Sequence, residues 1–495
     1  MAEDEQPKNL ENINRDRLFL GSSFSLISTS VTFAIIGAIM GPLKDIFVLT
    51  NAEVGWIGGA ALWGFSITIF IFGPLCDVLG MKFLFRLAFL GHFLGVITMF
   101  FASGFTMLFI GALVLAMGNG LVEAAANPLV ATLYPDKKTE MLNKFHVWFP
   151  GGIVIGGLIS FGLDSIGIPS YQLKLLVILI PTIIYGILFF GQKFPATERL
   201  QSGVNGMDMV KATLLRPLFW ILVVAMAMTA SVELGPNRWI PAVLEAAGIH
   251  GILVLVWINL LMAIMRYKAG PVVHKLSPTG ILVSSAIISG IGLYWLSYTE
   301  TLAMAIMAGT VFALGVSYFW PTMLGVTSER IPKGGALALA LVGGVGTIIV
   351  GLVTSPLMGS VADDNLHDKL QLKETTIVLE QIVESYPKLR DEMGEKTAED
   401  FNSAIKASEE ILESVKNDGT LPKFSTANAL RSAIAVAPGS EAASAAKSIL
   451  GPAENYGGKI SFRRVAPLTI FLTIIFGVMY FRDRTAGGYK AEVIE

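Results

Sequence analysis

Cysteine is almost absent from this sequence, and charge is scarce. One cysteine, Cys76, occurs in 495 residues, so the chain forms no internal disulfide and its redox compartment stays open. Charged residues make up 15% of the chain, whereas a soluble domain usually carries about a quarter. The net charge of −2 gives no electrostatic reason to expect a nucleic-acid partner. These shortages argue against an ordinary soluble domain and against nucleic-acid binding.

Motifs that carry enzymatic chemistry are also missing. The sequence has no clustered histidine and aspartate set for a metal, no phosphate-binding glycine loop before a helix, and no paired nucleophile and base. We therefore expect neither an enzyme nor a bound metal or cofactor.

Apolar residues, in contrast, make up 53% of the chain and fall into blocks. The blocks are about 20 residues long, which is enough to cross a bilayer core of about 30 Å. This pattern predicts an all-α membrane protein with one transmembrane helix for each block. The twelve blocks are 18–41, 54–75, 83–103, 105–133, 146–163, 171–192, 217–241, 250–267, 279–298, 301–325, 335–359 and 465–481. The polar segment 1–17 lacks the apolar core of a secretory signal, so we expect the first block to be retained as a helix.

Positive charge marks one side of the predicted membrane. Lysines and arginines follow the even-numbered blocks, as Lys82, Lys137, Lys193, Arg266 and Arg330 illustrate. Because cytoplasmic loops carry such an excess, these loops and both termini are predicted to be cytoplasmic. The expected location is the cell membrane, with a bacterial inner membrane as the first candidate.

The two halves of the chain resemble each other. The segment "GPLCDVLGMK" begins at Gly73 after the second block, and "GPVVHKLSPT" begins at Gly270 after the eighth. A six-helix unit used twice, with corresponding loops on one side, implies two halves related by an axis along the membrane normal. The predicted divisions are a cytoplasmic tail 1–17, a six-helix bundle 18–192, a cytoplasmic linker 193–216, a second six-helix bundle 217–481 and a cytoplasmic tail 482–495.

Residues 363–462 interrupt the second bundle between the eleventh and twelfth blocks. This insertion is polar and carries apolar residues at helical spacing, as in "KETTIVLEQIVESYPKLRDEM". The predicted topology places it outside the cytoplasm. It is either a decoration of the fold or a lid or partner-docking element over the outer mouth, and the sequence leaves both interpretations open.

The loop after the second block has glycines, an acid and bases at fixed spacing. The glycines permit a tight turn and a close approach, and the acid suits a helix N-terminus. The candidate gate residues are Gly73, Asp77, Gly80, Lys82 and Arg86. This loop resembles the signature loop between the second and third helices of the major facilitator superfamily, which implies that superfamily's fold. In the second half, His274 and Ser277 replace the acid and the second glycine, so the gate role is not extended there.

Glu123 lies within the otherwise apolar stretch "GNGLVEAAANPLVATLYP". A charged side chain at mid-membrane costs about 2.5–3.5 kcal/mol on insertion scales, and such residues usually mark an ion or substrate path. Asn127 follows four residues later on the same helical face, and Pro128 frees a main-chain carbonyl one turn back. We interpret Glu123 as a proton site beside hydrogen-bonding groups. The alternative is a structural carboxylate bonded to a neighbouring helix.

The stretch "GLVEAAANPLVATLYPDKKTEMLNKFHVWFPGG" resembles the fourth and fifth helices of the fucose–galactose–glucose:proton symporter family. Glu123 matches that family's protonatable glutamate, Asn127-Pro128 its Asn-Pro, and Leu142-Asn143 its Leu-Asn. The resemblance implies proton-coupled transport of a sugar.

Two features depart from that family. His146 and Phe149 stand where the family has substrate-facing amides, and the family's aspartate in the first helix has no counterpart here. Proton coupling would therefore rest on Glu123, with His146 or Glu233 as further candidates. His146 either relays a proton or is a neutral hydrogen-bonding residue at a helix start.

The seventh block contains "SVELGPNRWIPAVL", a helix broken by glycine and proline. An acid and a base in one turn of such a helix suit a cavity wall. Glu233 and Arg238 either pair with each other, or Arg238 binds an anionic group of the solute with Trp239 as a stacking surface.

Amides and aromatic side chains on other blocks complete the candidate solute site. Aromatic faces beside amides are common in sugar sites, although aromatics at helix ends also form the interfacial belt. The candidate substrate-binding residues are Asn127, Trp148, Asn237, Arg238, Trp239, Asn259, Tyr318 and Trp320.

These observations predict a secondary transporter that moves a small polar solute, a sugar first of all, by alternating access with proton coupling. The alternatives are a carrier of organic anions or sugar acids and a receptor-like protein that keeps the fold without transport. The expected partners are the solute, protons and the lipid bilayer, and the expected oligomeric state is a monomer.

Overall fold

The computed structural model of the chain describes residues 12–47, 49, 51–393, 395–423 and 425–494, and within these ranges it contains helices and no strand. Eleven helical segments of the described chain are long and apolar enough to cross a membrane, and the bent pair Gly251–Tyr267 and Ala269–Leu276 raises the number to twelve. The helices are α1 Arg15–Phe47, α2 Asn51–Leu79, α3 Met81–Phe100, α4 Phe105–Leu133, α5 Lys138–Phe145, α6 Trp148–Ser165, α7 Tyr171–Phe189, α8 Glu198–Gln201, α9 Gly206–Leu214, α10 Pro217–Glu245, α11 Gly251–Tyr267, α12 Ala269–Leu276, α13 Pro278–Leu296, α14 Leu302–Val316, α15 Phe319–Arg330, α16 Gly335–Ile349, α17 Ser355–Leu366, α18 Leu372–Met393, α19 Glu395–Asp418, α20 Ser425–Val436, α21 Glu441–Val465 and α22 Leu468–Thr485. The predicted all-helical membrane fold is confirmed.

Both ends of the described chain lie on one face of the bundle, which we call the terminal face. Arg15 at the start of α1 donates to the carbonyl of Leu133 at the end of α4. Arg330 at the end of α15 pairs with Asp483 near the end of α22. The opposite end of the bundle, where α18 to α20 lie, is called the insertion face.

Several spans are broken near their middle. One break separates α5 from α6 at His146, and another separates α14 from α15 at Ser317. Each break ends a helix and leaves main-chain carbonyls without an intrahelical partner. Non-helical backbone at membrane depth is tolerated only where protein or water satisfies it, so these breaks are places to look for a site.

The two halves meet along helices that approach closely. Gly73 of α2 lies so near Ala340 of α16 that a Cβ on the glycine would be 2.0 Å from the alanine Cβ. Further along the same two helices, Ser66 and Thr347 exchange a hydrogen bond of 3.0 Å. Small residues permit this packing, as is usual between helices in membranes.

The insertion forms a helical unit with its own hydrophobic core, which includes Leu379, Tyr386, Phe401 and Leu430. The helices α17 and α21 extend into it from the spans and carry α18, α19 and α20. Arg431 of α20 forms salt bridges to both of these helices, at 2.8 Å to Asp363 of α17 and at 2.7 Å to Glu454 of α21.

Candidate functional site

A buried arginine lies at the centre of the bundle. Arg266 of α11 is 1% exposed and donates to three groups from different parts of the chain. Its Nη2 lies 2.8 Å from Oε1 of Glu233, its Nε 2.6 Å from the carbonyl oxygen of Ser317, and its Nη1 3.1 Å from that of His146. The two carbonyls belong to the two helix breaks, so one guanidinium satisfies the ends of both α5 and α14. A cation at helix C-termini is also favoured by the helix dipoles.

This arrangement corrects two predictions. The sequence-based topology counts Arg266 among the loop cations after the eighth block, but the residue is inside α11 and buried. The suggested pair between Glu233 and Arg238 is wrong, because Glu233 pairs with Arg266. Residues five apart on a helix do not share a face, whereas those three or four apart do, so Glu233 and Arg238 point in different directions.

A second set of polar side chains belongs to the first half. Asn127 donates from Nδ2 to Oε2 of Glu123 at 2.6 Å, and its Oδ1 lies 3.0 Å from Nε2 of His146. Because an amide oxygen only accepts, Nε2 of His146 carries the proton in this arrangement. Glu123 and Asn127 are each 5% exposed and His146 is 1% exposed.

The two sets join at His146, whose side chain binds Asn127 and whose carbonyl accepts from Arg266. A continuous polar path therefore runs from Glu123 in the first half to Glu233 in the second. We call these five residues, Glu123, Asn127, His146, Arg266 and Glu233, the central polar chain. Both acids that the sequence suggested for proton coupling are members of it.

Glu123 and Glu233 differ in their contacts. Glu233 receives a charged donor from Arg266, whereas Glu123 receives an amide hydrogen bond and no ion pair within the described chain. An amide N–H binds a protonated and an ionised carboxyl alike, so Glu123 can gain or lose a proton without breaking an ion pair.

Several predicted solute-binding groups are already used by the protein. Asn259 donates to the carbonyl of Leu255 in its own helix, and the hydroxyl of Tyr318 donates to the carbonyl of Met265. Trp320 is 8% exposed and its indole packs over glycines of α16. Trp239 is half-buried against Gly359 of α17. With Asn127 in the central polar chain, little hydrogen-bonding capacity remains here for a ligand rich in hydroxyls.

Three predicted residues carry side-chain groups that form no hydrogen bond with a described residue. Arg238 is exposed and forms no ion pair or hydrogen bond with any residue that the structure describes. Asn237 is half-buried, and its Oδ1 is itself buried and has no hydrogen-bond partner among the described residues. Trp148 at the start of α6 is 36% exposed. Asn237 and Arg238 lie on α10 in the second half, and Trp148 lies on α6 in the first half.

The candidate gate residues are distributed over several contacts. Asp77 lies in the last turn of α2 and does not cap α3, contrary to the expectation of a helix N-terminus. Its carboxylate accepts from Thr197 and Arg199 of the linker, each at 2.5 Å. Gly80 has a φ of 80°, which suits the turn between α2 and α3. Lys82 donates to the carbonyl of Gln192 at 2.7 Å.

A cavity of about 730 Å³ lies between α3 and α7, away from the central polar chain. Arg86, the fifth candidate gate residue, lines it together with Phe89 and Ile183. Ile183 and Leu90 are exposed on this outer surface of the bundle. The cavity therefore faces the surroundings of the bundle and is separate from the site between the halves.

A contact between α5 and α15 closes the terminal face. The Oε1 of Glu329 accepts from the N–H and the hydroxyl of Thr139, at 2.9 and 2.8 Å. One turn away, Asn143 donates to Thr322 at 3.2 Å. We call this contact the terminal gate. Sequence reasoning missed both Glu329 and Arg266, since each stands near a span end where a charge is usually read as a loop residue.

Comparisons with known proteins agree with this architecture. The model of the Major Facilitator Superfamily matches residues 18–356. A candidate niacin/nicotinamide transporter, NiaP, of Bacillus subtilis is 21% identical over 369 residues, which cover 69% of this chain and 90% of that protein. A gentisate transporter of Corynebacterium glutamicum is 24% identical over 369 residues, covering 68% of this chain and 79% of that protein.

A solved structure shares the fold. The fucose:proton symporter FucP of E. coli superimposes with a TM-score of 0.59 at 18% identity, covering 72% of this chain and 93% of that chain.

Proposed function

The chain belongs to the Major Facilitator Superfamily, and from that premise we propose that it moves a small organic anion across a membrane by alternating access, with a proton as the coupled ion. Membership of this superfamily makes the protein a membrane transporter. The solute, the coupling ion and the residues that bind them are the proposal.

One observation carries the choice of solute. Arg238 is a cation on a central span that pairs with none of the described residues. Its exposed side chain needs water or an anion, because a guanidinium is costly against lipid. Its planar fork fits a carboxylate. The proposed remaining contacts of a ring that carries a carboxylate are Asn237, the preceding residue on α10, and Trp148, which is exposed at the start of α6.

The relatives support an organic anion. The Bacillus relative is named for niacin and nicotinamide and the Corynebacterium relative for gentisate. Niacin and gentisate are aromatic carboxylic acids. Their identities to this chain are low, so they support the class of solute and not a particular compound.

A sugar is the second candidate. Its support is the fold, which resembles that of the fucose:proton symporter, and the buried Oδ1 of Asn237, which has no hydrogen-bond partner among the described residues. Against a sugar, the amide of Asn127 and the hydroxyl of Tyr318 are held by contacts within the protein. An anion site needs fewer free amides than a sugar site, and for that reason we rank the anion first.

Glu123 is the proposed proton site. It lies in the fourth span and is 5% exposed, and among the described residues it forms no ion pair that a proton would have to displace. His146 would couple the protonation of Glu123 to the second half of the bundle, because its side chain contacts Asn127 and its carbonyl contacts Arg266.

The test is a ligand screen followed by uptake. Purified protein is heated with aromatic carboxylates, sugar acids and neutral sugars, and a bound compound raises the melting temperature by mass action. Compounds that raise it are then measured for uptake into proteoliposomes with and without an inwardly directed proton gradient. We expect a response to aromatic carboxylates and faster uptake with the gradient. A response to neutral sugars alone would overturn the anion proposal in favour of the sugar.

A further inference from the structure

The chain after α22 folds back over the terminal face. Tyr489 donates from its hydroxyl to Oε2 of Glu329 at 2.6 Å, and the N–H of Glu492 donates to the carbonyl of the same glutamate at 2.7 Å. Glu492 also accepts two hydrogen bonds from Arg216, at 2.8 and 2.9 Å. Bidentate arginine–carboxylate contacts of this kind are specific in geometry. The segment from Tyr489 to Glu492, which we call the tail strap, is therefore fixed to α15 and to the start of α10.

Glu329 joins the tail strap to the terminal gate. One carboxylate oxygen accepts from Tyr489 of the strap, and the other accepts from Thr139 of the opposite half. Glu329 is 8% exposed, so few waters can replace either partner. Fixing one oxygen of a planar carboxylate also fixes the direction of the other.

The gate itself is tightly packed. A Cβ on Gly325 would lie 2.2 Å from Oγ1 of Thr139, so α15 and α5 are in close contact at this point. Opening the terminal face requires α15 to leave α5, and this separation must break the two hydrogen bonds between Glu329 and Thr139.

We propose that Tyr489 is a positioning residue of the terminal gate, and that the tail strap holds Glu329 in the orientation that keeps this gate closed. The strap thereby sets how readily the transporter exposes its site on the terminal face. The proposal extends the alternating-access function proposed above, but its main test measures the gate and not transport.

The ring of Tyr489 is held independently of its hydroxyl. Arg330 lies over the ring at 4.4 Å from its centre. Burial, together with the negative charge of Glu329, raises the pKa of Tyr489 well above its ordinary value. The hydroxyl therefore remains a donor at every pH below the ordinary pKa of tyrosine, which is about 10.

The experiment uses a single reporter thiol. Cys76, the only natural cysteine, is changed to alanine, and Ser328→Cys places a buried thiol next to Glu329 without removing a hydrogen bond of the gate. The rate of alkylation by a soluble maleimide then reports gate opening in purified, full-length protein. Tyr489→Phe removes the hydroxyl and keeps the ring over Arg330. Tyr267→Phe, an exposed tyrosine on α11, is the matched control.

We expect Tyr489→Phe to raise the alkylation rate about ten-fold or more, as expected for a lost hydrogen bond to a charged group. Tyr267→Phe should leave it unchanged. A chain that ends at Ala486 removes the whole strap and should raise the rate at least as much. Unchanged alkylation rates in both strap variants would overturn the proposal. A higher rate in the shortened chain alone would show that Tyr489 is not the residue that positions Glu329.

Uptake measurements separate this proposal from the proposed function. If no solute is transported by any variant but the alkylation rates differ as expected, the strap acts on the gate and the function proposed above is wrong. If uptake proceeds while alkylation is the same in all variants, transport stands and the strap proposal fails. In a transporting protein, the strap variants should change the maximal rate more than KM, because Tyr489 does not contact the site between the halves.

Discussion

Arg266 and Glu233 form an ion pair of 2.8 Å in which both side chains are almost inaccessible, at 1% and 3%. Burial of two charges is costly, so the net stability of such a pair is small even though its geometry is good. The loss of one partner is different, because it leaves an unpaired charge in the interior. The pair therefore sets the arrangement of the helix breaks more than it strengthens the fold.

This relationship predicts an unequal response to substitution. Glu233→Gln should lower the free energy of unfolding by about 3–5 kcal/mol, because Arg266 then keeps its charge without a counter-ion. The double variant Glu233→Gln with Arg266→Gln should recover part of the loss, but not all of it, since the carbonyls of His146 and Ser317 lose their donor. Denaturation of the purified protein measures both variants.

The control for this pair is an exposed one. Arg390 pairs with Asp391 at 2.9 Å on the surface of the insertion, and Arg390→Gln should cost less than about 1 kcal/mol. If Glu233→Gln costs no more than Arg390→Gln, the central pair is not the buried charge pair described above.

Neutralising Glu123 should separate transport from its driving force. Glutamine at this position still accepts a hydrogen bond from Asn127, so the bundle should fold, but it cannot exchange a proton. Glu123→Gln should therefore abolish accumulation driven by a proton gradient while solute exchange at equal pH on both sides continues. Uptake and counterflow in the same proteoliposomes measure the two activities.

Glu300→Gln is the matched control for Glu123, because Glu300 is exposed between α13 and α14. It should change neither activity. Gradient-driven accumulation that survives in Glu123→Gln would show that the coupling site is elsewhere.

Arg238 should determine affinity for the solute. Lysine keeps the charge but cannot donate two parallel hydrogen bonds to a carboxylate. Arg238→Lys should therefore raise KM for an aromatic carboxylate by about ten-fold or more, as expected for a lost hydrogen bond to a charged group. Arg482→Lys, an exposed arginine at the end of α22, should leave KM unchanged. An unchanged KM in Arg238→Lys would exclude the proposed anion contact.

The apolar blocks predict the spans well because each must bury about 20 residues in lipid, a demand that any one block meets alone. The pairing of Glu123 with Asn127 is also predictable, since it depends on a spacing of four residues within one helix. These features are local, and a single sequence contains what is needed to infer them.

Contacts between residues far apart in the chain are harder to predict from the sequence. Arg266 reaches Glu233, Ser317 and His146, which lie 33, 51 and 120 residues away along the chain. Nothing in the local pattern around Arg266 distinguishes it from a cytoplasmic arginine at a span end, except that the apolar block 250–267 includes it. Glu329 and Tyr489 are 160 residues apart and were missed for the same reason.

The insertion should respond differently in its core and at its base. Leu379 is fully buried in the core of the insertion, so Leu379→Ala should destabilise this unit by about 2–5 kcal/mol and expose it to proteolysis.

Asn455 of α21 donates to the carbonyl of Val243 in α10 at 2.6 Å and so connects the base of the insertion to the span that carries Arg238. Asn455→Ala should leave the insertion folded and slow uptake roughly three- to ten-fold, the effect of one lost hydrogen bond. Limited proteolysis and uptake, measured on both variants, separate the two effects. Loss of uptake in Leu379→Ala would instead mean that the folded insertion takes part in transport, as a lid over the insertion face would.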